Sequence, residues 1–134
     1  MRIVIDTNRI IAAMIKDGIS RKIIFNENFT FITPDHTIME INKYEEEIRE
    51  KTNITHEEFG ILNAFIFERI KIIPESEYRD FIEESKRLIV DLDDVPFIAV
   101  SLALRADGIW SDDKHFQGQD RIRVCTTENM KMLI

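Results

Sequence analysis

A three-layer α/β/α sandwich around a central, mostly parallel five-stranded sheet is the fold this chain predicts, and three features predict it. Short apolar runs of strand length alternate with helical segments throughout, an order that calls for a parallel sheet covered on both faces. The first strand run, "RIVI" (2–5), is apolar at consecutive positions after Arg2, as in a strand buried on both sides. The 134 residues contain no internal repeat, no low-complexity tract and no Pro/Gly/Ser linker, so one domain spanning 1–134 is expected.

After the first strand, "TNRIIAAMIKDG" reads as a short helix ended by Gly18, and "ISRKIIFNEN" as a second with Ile19, Ile23 and Ile24 on one side. The aromatic and β-branched run "FTFIT" (29–33) is the second strand. Pro34 then opens a long helix, "PDHTIMEINKYEEEIREKTN", with Ile38, Ile41, Tyr44 and Ile48 at helical spacing. "THEEFGILNAFIFERI" begins with a capping signature, Thr55 to Glu58, and continues as an amphipathic helix. "IKIIP" (70–74) is the third strand, followed by a helix from about Tyr78 to Ile89. In "DVPFIAVSLALRADG", Asp94 takes the N-cap, Pro96 the first turn and Gly108 the position past the end. That helix is apolar nearly all round and should be central. "GIWS" and "IRVCT" are strands four and five, and "TENMKMLI" is a terminal helix capped by Thr126 or Thr127.

The bulk numbers bound the function. Hydrophobic residues make up 44% and charged residues 32%, the balance of an ordinary water-soluble domain. No apolar run approaches membrane-spanning length, and the N-terminus lacks a secretory pattern. The lone cysteine, Cys125, has no partner for an internal disulfide and lies in an apolar run, so a buried structural thiol in a reducing cytoplasm is expected. A formal net charge of −7 argues against a protein that coats nucleic acid through a basic stripe. It does not exclude a nuclease whose metal ions supply positive charge locally.

The acids carry the chemistry. In a parallel sheet every strand ends at the same edge, and ligand sites form there. Asp6 ends strand one, and Asp112 and Asp113 follow strand four. Asp91, Asp93 and Asp94 precede the helix that leads into strand four, so they too start near that edge. Each has a plain alternative, as a helix cap or a solvated turn. Together they would repel one another unless something cationic sits among them. Carboxylates without cysteine or paired histidine favour Mg²⁺ or Mn²⁺ over zinc. Of the three histidines, His36 and His56 are expected in surface or capping roles, with His115 beside the acidic edge.

Four stretches in order, "VIDTN", "TIMEI", "DDVPFIAVSLAL" and "IWSDDKHF", resemble the PIN domain family across essentially the whole chain. Many of its single-domain members are VapC-type toxins of toxin–antitoxin pairs. The resemblance implies a Mg²⁺- or Mn²⁺-dependent endoribonuclease hydrolysing RNA phosphodiester bonds. Its acidic positions correspond to Asp6, Glu40, Asp94 and Asp113. Asp6, Asp94 and Asp113 would hold metal directly or through water, and Glu40 would be a ligand or accept the water's proton. Asn8 and Ser111 match polar positions that orient acids or substrate. The doubled acids leave Asp93 and Asp112 as alternative ligands. Arg9, Lys114 and His115 lie near the acids in sequence and are candidates for steering RNA, whereas "EEE" at 45–47 reads as a solvated face.

The apolar stretches "RIIAAMI" and "ILNAFIFERI" exceed what a small sheet covers, which predicts an amphipathic partner segment or a second copy of the chain. The expected assembly is therefore a homodimer, with an antitoxin as possible partner. Rival readings are a non-catalytic PIN-like binding module for protein or RNA, or an RNA-processing nuclease without an antitoxin. A haloacid-dehalogenase-like phosphatase wants a second acid where Asn8 stands. A receiver domain wants its phosphorylated aspartate at the end of strand three, where "IIPES" has no aspartate.

Overall fold

The computed structural model describes residues 1–134. Five parallel strands lie in the order β3-β2-β1-β4-β5: β1 (Arg2–Ile5), β2 (Thr30–Pro34), β3 (Ile70–Ile73), β4 (Gly108–Trp110) and β5 (Val124–Cys125). Side chains alternate across the sheet, and this splits the core in two. Ile3, Ile5, Phe31 and Trp110 face one layer, made by α1 (Thr7–Ile15), α2 (Ile19–Ile24), α3 (His36–Thr52), α4 (His56–Phe67) and α8 (Thr127–Lys131). Val4, Ile32, Ile73 and Ile109 face the other, made by α5 (Glu75–Tyr78), α6 (Ile82–Lys86) and α7 (Val95–Ala103). The strand order reverses between β1 and β4, which pair with Ile5 opposite Trp110. Asp6 and Ser111, one residue further on, therefore meet at the point where the chain turns away in both directions.

Several boundaries differ from the sequence expectation, each for a local reason. The first helix ends at Ile15, not Gly18. Arg21 reaches back from α2 and donates to Ala13 O from Nε at 3.0 Å and Nη2 at 2.7 Å, satisfying a last-turn carbonyl. Gly18 is instead the N-cap of α2. Pro34 closes β2 rather than opening a helix, since at the strand's last residue its missing N–H costs little. The helix expected from Tyr78 to Ile89 begins earlier and breaks into α5, a 3₁₀ turn (Arg79–Phe81) and α6. Asp35 Oδ2 accepts the Glu75 N–H at 3.1 Å and starts α5 there. Ser85 Oγ donates to the Phe81 carbonyl at 2.7 Å, a back-bond that bends helices.

Gly108 does not end α7. Arg105, at φ 51°, takes the left-handed position after that helix. Gly108 lies in β4, where a Cβ would meet the Arg123 carbonyl at 3.1 Å. The two capping boxes form as the sequence indicates at Thr55, and at Thr126 with Asn129 as its partner. Cys125 is a buried free thiol, and α7 buries Val95 and the run Phe97–Ser101.

Candidate active site

Asp6 is buried at the end of β1. Its Oδ2 accepts the Ser111 hydroxyl at 2.7 Å, and Ser111 Oγ in turn accepts the Asp113 N–H at 3.0 Å. Burial raises the Asp6 pKa, and Ser111 pulls it part of the way back. The Asn8 backbone amide acts in the same lowering direction. The Asn8 side chain itself lies elsewhere, exposed in a groove of about 250 Å³ between α1 and α3 lined by Ile11, Ile15, Tyr44 and Lys51.

Glu40 comes to this edge from α3. Its Oε1 accepts the Thr7 hydroxyl at 2.7 Å, and Thr7 Oγ1 lies 3.2 Å from Thr37 Oγ1. Thr37 meets Thr33 at 2.8 Å, and Thr33 donates to the Ile5 carbonyl at 3.0 Å. Three buried hydroxyls thus tie Glu40 to the first two strands. Burial raises the Glu40 pKa, with the Thr7 hydrogen bond opposing it. His36 Nε2 stands 3.7 Å from Glu40 Oε1 and 3.9 Å from Asp93 Oδ1, so this histidine is at the acidic edge rather than in a detached surface role.

Asp94 precedes α7 without capping it, because no side-chain capping bond forms. Its Oδ2 is buried and has no hydrogen-bond partner. Burial, reinforced by the charges of Asp91, Asp113 and Asp6, pushes its pKa up to about 7. His115 Nδ1 stands 3.6 Å from that oxygen and 3.5 Å from Asp113 Oδ1. The donor atoms of Asp91, Asp94 and His115 all lie within 4.8 Å of one another. Asp91 thus stands with Asp94 and His115 in one compact group, while Asp93 Oδ1 stands 3.9 Å from His36 Nε2.

The second doubled acid divides its labour. Asp112 accepts the Thr127 N–H at 2.7 Å and hydroxyl at 2.6 Å, and pairs with Arg9 Nη1 at 2.9 Å. It fastens α8 to α1 and is occupied by protein groups, while Arg9 is held through Nη1 and its buried Nε has no partner. Lys114 is exposed near the acids. Sequence spacing gave Thr7, Thr33 and Thr37 no role at the site, and it brought Asp91 to this edge without naming it a ligand. Thr33 and Thr37 are four residues apart across a strand-to-helix junction, a spacing whose meaning appears only once Pro34 is known to end the strand.

A buried carboxylate oxygen without a donor, ringed by three more acids, requires a cation or a proton. The oxygen-rich donor set fits a hard divalent ion. The fold and site thus define a parallel α/β domain with a cluster of acids at its strand-order reversal. The sequence matches the PIN domain family over residues 4–134, and the chain belongs to that family. Among solved structures it is similar to VapBC2 from Rickettsia felis, bound to a DNA fragment from the complex's promoter. The TM-score is 0.67 at 17% identity, covering 94% of this chain and 98% of that one. No curated protein matches it.

Proposed function

We propose that the protein is a Mg²⁺- or Mn²⁺-dependent endoribonuclease acting as the toxin of a type II toxin–antitoxin pair in the cytoplasm. The observation that carries the reading is the unpartnered buried oxygen of Asp94 among Asp6, Asp91 and Asp113. Asp6, Asp94 and Asp113 would hold the ion, with Ser111 fixing the Asp6 carboxylate. Bound there, a divalent ion supplies charge to the scissile phosphate and lowers the pKa of the attacking water. Glu40, held by Thr7, would accept that water's proton. Arg9, tied to Asp112, serves the frame of the site rather than RNA steering, which leaves Lys114 for that task.

Membership of the PIN family and likeness to one half of a VapBC complex support an antitoxin partner. The apolar surface of α1 is largely covered, but α4 leaves Ile61 and Phe65 exposed, a face suited to a partner segment or a second copy. Purified protein should cleave single-stranded or structured RNA with Mn²⁺ or Mg²⁺ and stop in EDTA. Asp6→Asn should lower the rate by at least about a hundredfold. Cleavage that persists in EDTA, or a fully active Asp6→Asn variant, refutes the reading.

A further inference from the structure

Resting on the proposed metal-dependent function, we infer that His115 and Asp91 complete the metal site and select a first-row transition ion over Mg²⁺. The argument begins with spacing. His115 Nδ1 stands 3.6 Å from Asp94 Oδ2 and 3.5 Å from Asp113 Oδ1, outside the hydrogen-bond range. Two donors sharing an ion at roughly 2.1 Å sit about 3.0 Å apart at a right angle and about 3.4 Å apart at a tetrahedral one. The imidazole therefore stands close to the separation of a co-ligand from both carboxylates.

Its placement is also fixed. The His115 N–H donates to Asp113 Oδ1 at 2.9 Å, which holds the start of the 3₁₀ turn (Lys114–Gly118) against the acids. Phe116, one residue on, is fully buried and anchors that turn. Asp91 is fixed from the other side, its Oδ1 accepting the Asp93 N–H at 2.9 Å. Its second oxygen remains free for an ion. His115 stands beside Asp94 Oδ2, the orphan atom, and Asp91 offers a carboxylate oxygen within 4.8 Å of the donor atoms of both.

Donor chemistry then sets the preference. Mg²⁺ takes oxygen and holds its waters tightly, whereas an imidazole nitrogen gains affinity along the transition series. One imidazole among carboxylates is short of the nitrogen or sulfur set of a zinc site. The expected order of affinity is Mg²⁺ below Mn²⁺ below Co²⁺.

The test reads the bound ion directly. Mn²⁺ is titrated into the EDTA-stripped, dialysed protein, with free ion followed by electron paramagnetic resonance. Bound Mn²⁺ is then examined by spin-echo modulation for a directly ligated ¹⁴N nucleus. Wild type should show that coupling. His115→Ala, at a well-exposed side chain whose loss leaves the fold intact, should abolish it and weaken Mn²⁺ at least about tenfold, but Mg²⁺ about twofold or less. Asp91→Asn should weaken Mn²⁺ several-fold and keep the nitrogen signal.

Bound Mn²⁺ without nitrogen coupling overturns the inference, as does coupling that survives His115→Ala and so belongs to His36. Equal losses of Mg²⁺ and Mn²⁺ in His115→Ala overturn the selectivity, and an unchanged Asp91→Asn removes Asp91 from the site. RNA cleavage in Mg²⁺ with no nitrogen signal would sink this inference alone. A nitrogen signal without cleavage would sink the nuclease reading and leave the metal site standing.

Discussion

Asp6 and Asp94 stand on the same edge of the sheet, and the protein treats them differently. Asp6 is buried at the end of β1 and receives the Ser111 hydroxyl, so its desolvation is partly answered from within. Asp94, in the loop ahead of α7, receives no donor at its buried oxygen, and three neighbouring acids push the same way as burial. What separates the two is the supply of donors, not burial alone. The Asp6 side is finished by the protein; the Asp94 side is finished only by a cation or a proton.

The largest test of that contrast is the pH dependence of the metal-free fold. Asp94 has a folded pKa of about 7 against an ordinary 3.8. Between those values the folded state holds a proton that the unfolded chain has released, so stability falls as pH rises from about 4 to about 7. Discounted for the part of the carboxylate that water reaches, the loss is on the order of 2 kcal/mol, or roughly 6–10 °C in melting temperature. In EDTA, Asp94→Asn should flatten that slope and melt higher than wild type above neutral pH. It should also lose most of the stabilisation by Mn²⁺. Asp6→Asn, whose amide oxygen can still accept from Ser111, should change the slope less. Parallel wild-type and Asp94→Asn curves would break the comparison.

The adjacent acids Asp112 and Asp113 sharpen it at the next level. Asp112 is spent on Thr127 and Arg9, whereas Asp113 faces Asp94 and His115. Asp112→Ala should cost about 1–2 kcal/mol, because it strips two hydrogen bonds and an ion pair from a half-exposed carboxylate. Its Mn²⁺-induced rise in melting temperature should survive. Asp113→Asn should do the reverse, leaving metal-free stability equal or higher and shrinking the metal-induced rise. Thermal melts of both variants, with and without Mn²⁺, distinguish a fastener from a ligand.

The layers and the parallel sheet could be read from the chain because strand-length apolar runs and helical periodicity are local signals, and so was the capping box at Thr55; at the last helix the choice between Thr126 and Thr127 falls to Thr126 through its Asn129 partner. The ends of α1 and α7 and the break after α5 were not, since Arg21, Arg105 and Ser85 settle them through contacts or backbone angles that spacing does not encode. At the site, topology alone brought Asp6, Asp94 and Asp113 to one edge. Glu40 became a candidate only through the family resemblance, because a single helix glutamate beside an apolar stripe carries no mark of its own. The closeness of Asp91 to Asp94 and His115 and the occupation of Asp112 depend on where side chains point within a turn, which adjacent positions in a sequence do not reveal.

The threonine chain supplies the smallest and most specific test. Thr7 is the one side chain that donates to Glu40, and its hydrogen bond opposes the rise that burial imposes on the Glu40 pKa. Thr7→Val keeps the shape, removes that donor and so raises the Glu40 pKa further. If Glu40 accepts the water's proton, the acid limb of the pH–rate profile should move to higher pH, and the rate near neutrality should fall about threefold to tenfold. Stability should drop by only about 1 kcal/mol, the worth of one hydrogen bond between protein groups. Thr7→Ser restores a hydroxyl at the same carbon and should return the limb toward its wild-type position, which a purely structural role for Thr7 does not require. An unmoved acid limb in Thr7→Val, with the rate lowered equally at every pH, would make Glu40 a fixed ligand rather than the base, and the threonines would then be its mounting alone.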